Sequence, residues 1–189
     1  MRVRIAAFLT VCGLTVGCTG RGEKLPVYNT VPSFSLTTEA GEPFESQTAL
    51  RGKVWIADFI FTTCTGPCPR MSSQMKRVQK EVAGFGEVKL VSFTVDPEND
   101  TPTALAEYAK RYGAEAGRWY FLTGVKDTLH KLNREAFMLG NVDGSLDHST
   151  RFILIDRAGR VRKYYHTNEG DFVPELVNDV RALLSERAS

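Results

Sequence analysis

The chain has 189 residues, 42% of them hydrophobic and 24% charged, with a formal net charge of +2. That length suits one well-packed domain and is short for two, and the composition excludes an extended disordered chain. Arg2 and Arg4 fall in a targeting segment. The remainder is therefore neutral, and no electrostatic argument favours nucleic acid as a partner.

Residues 5–17 form an apolar run behind those two arginines, too short to span a bilayer comfortably, and residues 1–17 read as an export signal. It ends in Leu14-Thr15-Val16-Gly17-Cys18, which resembles a bacterial lipobox with Cys18 lipidated as the first mature residue. Thr15 departs from the branched aliphatic usual there. An ordinary cleaved signal or an uncleaved anchor, with Cys18 incidental, is the alternative. Residues 18–30 read as a tether, polar at first and interrupted by Pro26, and residues 31–189 as the folded domain. The lipoprotein reading places that domain outside the bacterial cytoplasm, on the periplasmic or extracytoplasmic side, anchored to a membrane.

Strands and helices then alternate. Short strands near Phe34 and Phe44 flank Glu39-Ala40-Gly41 and predict a hairpin. Residues 54–61 and 88–95 are apolar runs of buried-strand character, and a helix after Cys68 carries Met71, Met75, Val78 and Val82 on one face. Thr101 caps a helix with Pro102 at its first position, and Gly113 closes it. A short strand at 119–122 and a helix over 126–136 follow. Residues 152–155 and 161–165 pair across Arg157-Ala158-Gly159, and a last amphipathic helix runs over 171–184. Strand–helix–strand followed by hairpin and helix is the order of a thioredoxin-like α/β fold, a central mixed sheet flanked by helices with an N-terminal hairpin.

Cys12 lies in the signal and Cys18 at its end, so the domain keeps only Cys64 and Cys68. A pair this close closes too small a loop to stabilise the fold much, which points to reactivity. Pro67 and Pro69 fit only the first turn of a helix, placing Cys68 in that turn and Cys64 just ahead of it. The positive end of the helix dipole predicts lowered thiol pKa values there. A thiolate is both nucleophile and metal ligand, so this placement alone does not separate redox from metal chemistry.

Three residues separate the thiols, where a general thiol–disulfide exchanger has two. No proline occurs between Thr103 and Val173, so the proline that usually faces such thiols is missing, and the facing loop carries Asp147-His148 instead. A peroxidase of this fold needs Pro-x-x-x-Thr-x-x-Cys, and Ala57 and Phe61 break that pattern. Two soft sulfurs and a borderline imidazole make a copper set.

The sequence resembles the SCO/SenC family, thioredoxin-fold copper-binding proteins of cytochrome c oxidase assembly. The resemblance rests on Phe61-Thr62-Thr63-Cys64 through Cys68-Pro69, Val95-Asp96-Pro97-Glu98-Asn99-Asp100-Thr101-Pro102, Leu122-Thr123-Gly124 and the segment 148–156. Val31-Pro32-Ser33-Phe34-Ser35-Leu36 and Arg51-Gly52-Lys53 accompany them but are generic to the fold. Thr65 departs from the proline that many relatives carry after the first cysteine. The resemblance implies Cys64, Cys68 and His148 as ligands of Cu(I) or Cu(II). It also implies a membrane-tethered assembly factor that delivers copper to the dinuclear copper site of cytochrome c oxidase subunit II, reduces that site's cysteines, or both. The copper donor is not implied. A tethered thiol–disulfide oxidoreductase, for which Cys64 and Cys68 form a redox-active pair, and a copper or redox sensor stay open.

Other candidates read as structural. Met71 and Met75 continue a core face, His130 lies on a helix and His166 at a strand end. Asp96 reads as a loop cap before Thr101, with a carboxylate supporting the site or facing a partner as the alternative.

Overall fold

The computed structural model describes residues 24–139 and 150–186. Its strands are β1 (Asn29–Thr30), β2 (Ser35–Thr38), β3 (Pro43–Glu45), β4 (Val54–Ile60), β5 (Val88–Thr94), β6 (Trp119–Thr123), β7 (Arg151–Ile155) and β8 (Arg160–His166). Its helices are α1 (Ser46–Ala49), α2 (Pro67–Glu81), α3 (Pro102–Tyr112), α4 (Lys126–Lys131) and α5 (Val173–Ser185). The strands make one mixed sheet in the order β1-β8-β7-β4-β5-β6-β2-β3. β4, β5 and β6 run parallel through the crossover helices α2 and α3, while β7, β8 and the β2–β3 hairpin pair antiparallel.

Every residue of β4 is buried, which is why it reads as an unbroken apolar run rather than an alternating one. Alternation still sorts its side chains between two cores. Val54, Ile56 and Ile60 pack with Met71, Met75 and Val78 of α2, with Val82 at its C-terminal cap, and with apolar residues of α3 and α5. Trp55, Ala57 and Phe59 pack on the other face with Leu129, Leu132 and Phe137. The side chains of Met71, Met75, Val78 and Val82 are at most 1% exposed, each contributing roughly 1.5–3 kcal/mol of burial. Met71 and Met75 are core residues, as their spacing predicts.

The predicted hairpin is present, with Gly41 at φ 78 in its turn, and it extends the sheet by pairing β2 with β6. Three elements carry no clear sequence signal: β1, the single turn α1, and a π-helical segment, Leu132–Ala136, that continues α4. The side-chain amide of Asn29 donates to the carbonyls of Glu135 and Ala136, which ties the end of that segment to β1.

Candidate metal and thiol centre

β4 ends at Ile60 and the Val95 N–H donates to the Ile60 carbonyl, closing the parallel ladder. The chain then turns, with the Cys64 N–H on the Phe61 carbonyl at 3.3 Å, and enters α2 at Pro67 behind Gly66. Cys68 is the second residue of that helix and Cys64 lies just ahead of it, as the prolines predict. Both cysteines are free thiols and both are buried, at 9% exposure for Cys64 and 3% for Cys68. The Cys64 side chain is near enough to act on the Cys68 thiol.

The electrostatics differ from the sequence expectation at Cys68. Burial pushes its thiol up to about 12, the Cys64 side chain and the negative charge of Asp58 push the same way, and only the Phe61 backbone hydrogen bond opposes them. Desolvation outweighs the helix dipole. Pro67 and Pro69 also remove two of the four N–H groups that a helix start ordinarily presents. A buried thiol that keeps its proton at neutral pH is a poor nucleophile by itself, and a soft metal competes strongly with that proton for the sulfur.

Two aspartates that the sequence reading did not connect to the thiols border this corner. Asp58 lies in the middle of β4, on the face that carries Ile56 and Ile60, and is fully buried. Its Oδ1 accepts from the Ser92 hydroxyl at 2.6 Å, and Ser92 in turn accepts from the Trp119 indole N–H at 3.0 Å. Its Oδ2 has no hydrogen-bond partner. Burial raises this carboxyl to about 7 and the Ser92 hydrogen bond only partly offsets it. A carboxylate inside Val54-Trp55-Ile56-Ala57-Asp58-Phe59-Ile60 is the signal that could have drawn attention to it. Asp100, also fully buried, accepts from the Thr62 N–H at 3.1 Å, from the Thr62 hydroxyl at 2.5 Å, and from the Thr94 hydroxyl.

Asp96 is a loop cap. Its N–H donates to the Thr94 hydroxyl, its carbonyl accepts from the Asn99 and Asp100 N–H groups, and its carboxylate accepts from the Asn99 side chain. Ser72, one turn along α2 from Cys68, shares a 2.9 Å hydrogen bond with the buried Tyr108 hydroxyl. His130 lies on α4 with a buried Nε2 that has no partner, and His166 ends β8 with Glu169 at 3.8 Å. Clefts of about 630 Å³, lined by Asn29, Phe34 and Leu132, and about 350 Å³, lined by Phe34, Trp55 and Arg157, lie away from the thiols.

Among the described residues no group of three or more His, Cys, Asp or Glu side chains is placed to hold a metal ion, so the thiol pair supplies two donors. His148 and Asp147 lie outside the described residues, as does Cys18. The chain re-enters the described fold at the thiol end of the sheet. β7 runs antiparallel to β4, with Ala57 opposite Ile153, so Arg151 begins β7 at the end of the sheet where β4 gives way to the thiol loop. Among the described residues no helix is long and apolar enough to cross a membrane.

The SCO1/SenC family model matches residues 23–185. The SCO1 protein homolog of Bacillus subtilis is 32% identical over 181 residues, spanning 93% of this chain and 91% of that protein. Among solved structures, a SCO1/SenC family lipoprotein from Bacillus anthracis superposes with a TM-score of 0.74 at 32% identity, covering 82% of this chain and 95% of that one. BsSco, described with a disulfide switch and as a member of the Sco family of cytochrome c oxidase assembly proteins, superposes with a TM-score of 0.76 at 29% identity. That match covers 87% of this chain and 100% of the other. These structures share the thioredoxin-like fold, a mixed sheet flanked by helices. The agreement extends over nearly the whole described chain and includes the strand–loop–helix corner that holds Cys64 and Cys68; the chain belongs to the SCO1/SenC family, which is associated with copper binding and cytochrome c oxidase assembly.

Proposed function

We propose that this chain is a membrane-tethered assembly factor that carries copper to the dinuclear copper site of cytochrome c oxidase subunit II. In this reading Cys64, Cys68 and His148 hold the ion, and lipidated Cys18 anchors the domain on the extracytoplasmic side of a bacterial membrane. The observation that carries the reading is the pair of free, buried, neighbouring thiols where β4 runs into α2. Adjacent thiolates match the preference of Cu(I) for soft sulfur, and an imidazole makes Cu(II) tolerable as well. His148 stands three residues ahead of Arg151, whose strand begins at the thiol end of the sheet, and that connection supports it as the third donor. Three donors leave copper under-coordinated, which suits a cargo that must be handed on. Because thiolates are the ligands, uptake releases protons.

The same two thiols support a second reading, reduction of a disulfide in the acceptor. Cys64, the more exposed of the pair, attacks as thiolate and breaks the acceptor disulfide, forming a mixed disulfide and expelling one acceptor thiolate. Cys68 then attacks Cys64 sulfur and releases the second acceptor sulfur, which leaves as a thiol carrying the proton that Cys68 gives up. Two electrons pass from this pair to the acceptor, and Cys64–Cys68 is left as a disulfide.

Copper titration of the reduced protein beside Cys64→Ser and His148→Ala tests the assignment. One tightly bound copper, lost or greatly weakened in both variants, is expected. Binding that is weak and indifferent to His148 would leave the thiol–disulfide reading in its place.

A further inference from the structure

We propose that Asp100 is a positioning residue for the thiol pair: by holding Thr62 it fixes the turn that presents Cys64 to Cys68. The inference rests on Cys64 and Cys68 being the working groups, as proposed above. Its basis is geometric. Asp100 stands 38 positions from Thr62 in sequence, yet both of its oxygens accept from the Thr62 N–H, at 3.1 and 3.2 Å. Oδ1 also accepts from the Thr62 hydroxyl at 2.5 Å, and Oδ2 from the Thr94 hydroxyl. The carboxylate is fully buried and, among the described residues, is met by hydroxyl and amide donors alone.

The place of this clamp in the fold gives it its effect. The register between β4 and β5 ends at the pair Ile60–Thr94. Asp100 supplies an attachment point just beyond it, on Thr62, two residues past the ladder and two before Cys64. It is itself held by its N–H on the Asp96 carbonyl, inside a loop already tied to Thr94. A loop that is fixed before the reaction loses little freedom when sulfur binds a metal or a second sulfur. Without the clamp, Cys64 would sample positions away from Cys68, and both copper binding and disulfide closure would carry that entropy loss. A carboxylate suits the role because it accepts on both oxygens; an amide in its place would turn one acceptor into a donor facing other donors.

Thr62→Val removes one donor and leaves the main chain intact, Thr62→Ser retains the hydroxyl, and Asp100→Asn disturbs the whole clamp. Thr101→Ala, which removes the cap of α3 next door, serves as a control for general loosening. The readouts are Cu(I) affinity by competition with a chromophoric chelator, the Cys64–Cys68 disulfide equilibrium against glutathione, and thermal unfolding. Thr62→Val is expected to weaken Cu(I) binding about tenfold and to disfavour the disulfide about tenfold, ~30 mV in reduction potential. Thr62→Ser is expected to behave as wild type. Should Asp100→Asn fail to fold, Thr62→Val decides. Wild-type values within twofold in folded Thr62→Val overturn the proposal, and so does an equal shift in Thr101→Ala. If the wild type binds no copper, the copper reading fails, and the glutathione equilibrium still decides the role of Asp100.

Discussion

Asp58 sets an unusual term in the stability of this domain. Its carboxyl is fully buried with one oxygen unpartnered, and it is raised from 3.8 to about 7 because burial penalises the charged form. The folded state therefore holds a proton that the unfolded chain has already released between about pH 4 and pH 7. Folding stability falls as pH rises through that window, by up to roughly 4 kcal/mol once the group is ionised. Asp58→Asn removes the titration. The variant is expected to be more stable than wild type at pH 8, with most of the gain gone at pH 5. Urea unfolding at the two pH values measures this, and an equal difference at both would show that the folded-state carboxyl of Asp58 is already ionised at pH 5 and is not raised by burial. The sequence made Cys64 and Cys68 legible, because spacing and two prolines are local chemistry. It did not expose Asp58 as a neighbour whose charge bears on Cys68, since that follows from which face of a buried strand meets α2.

At the scale of elements, α3 is the segment whose ends follow most directly from the residues. The Thr101 hydroxyl accepts from the Ala104 N–H at 3.3 Å, Pro102 occupies the first helical position, and Gly113 closes the helix in left-handed backbone at φ 69. Thr101→Ala is expected to cost about 1 kcal/mol through the lost cap. Gly113→Ala is expected to cost about as much for a different reason: an added Cβ would meet Lys76 Nζ at 3.6 Å, an ordinary contact, so the penalty is the backbone conformation alone. Chemical denaturation of the two single variants and the double variant checks both, and near-additive losses are expected because the sites lie at opposite ends of the helix. The segment after α4 shows where local reading stops. A helix over 126–136 was the expectation, and the chain is α-helical only to Lys131 before it widens into a π turn. The amide that takes two carbonyls at its end belongs to Asn29, more than a hundred residues away, and no local periodicity encodes such a partner. β1 escaped for the same reason, since its pairing with β8 is what makes it a strand.

For the molecule as a whole, strand order separates the chemistry from the fastening of the chain ends. β4 lies near the middle of the sheet, and its last residues deliver the thiols at one end. The β7–β8 turn lies at the other end, because β7 finishes opposite the start of β4. There Asp156 accepts from the Ala158 and Arg160 N–H groups and from the Arg160 and Arg162 side chains. Burial works against its charge, but those donors win and hold its carboxyl below the ordinary carboxylate range. Its contribution therefore has the opposite sign to that of Asp58, present above about pH 4 and lost as the medium is acidified. Arg162, 3% exposed, is the shared partner: it also donates to the carbonyls of Leu25 and Pro26 and pairs with Glu186. One guanidinium thus fastens the first described residues, the last described residues and a turn of the sheet. Order of elements was readable from hydrophobic pattern, but this convergence depends on contacts spanning most of the chain. Arg162→Met keeps the volume of the side-chain stem, takes one charged partner from the buried Asp156 and leaves two carbonyls without theirs. It is expected to cost about 3–5 kcal/mol, the range for breaking a buried ion pair from one side. Copper stoichiometry in the folded fraction should be unchanged, because the thiols occupy the far end of β4. A loss under about 1 kcal/mol in urea unfolding, within the range of exposed pairs, would mean that Asp156 keeps enough partners in Arg160 and the turn N–H groups to do without Arg162.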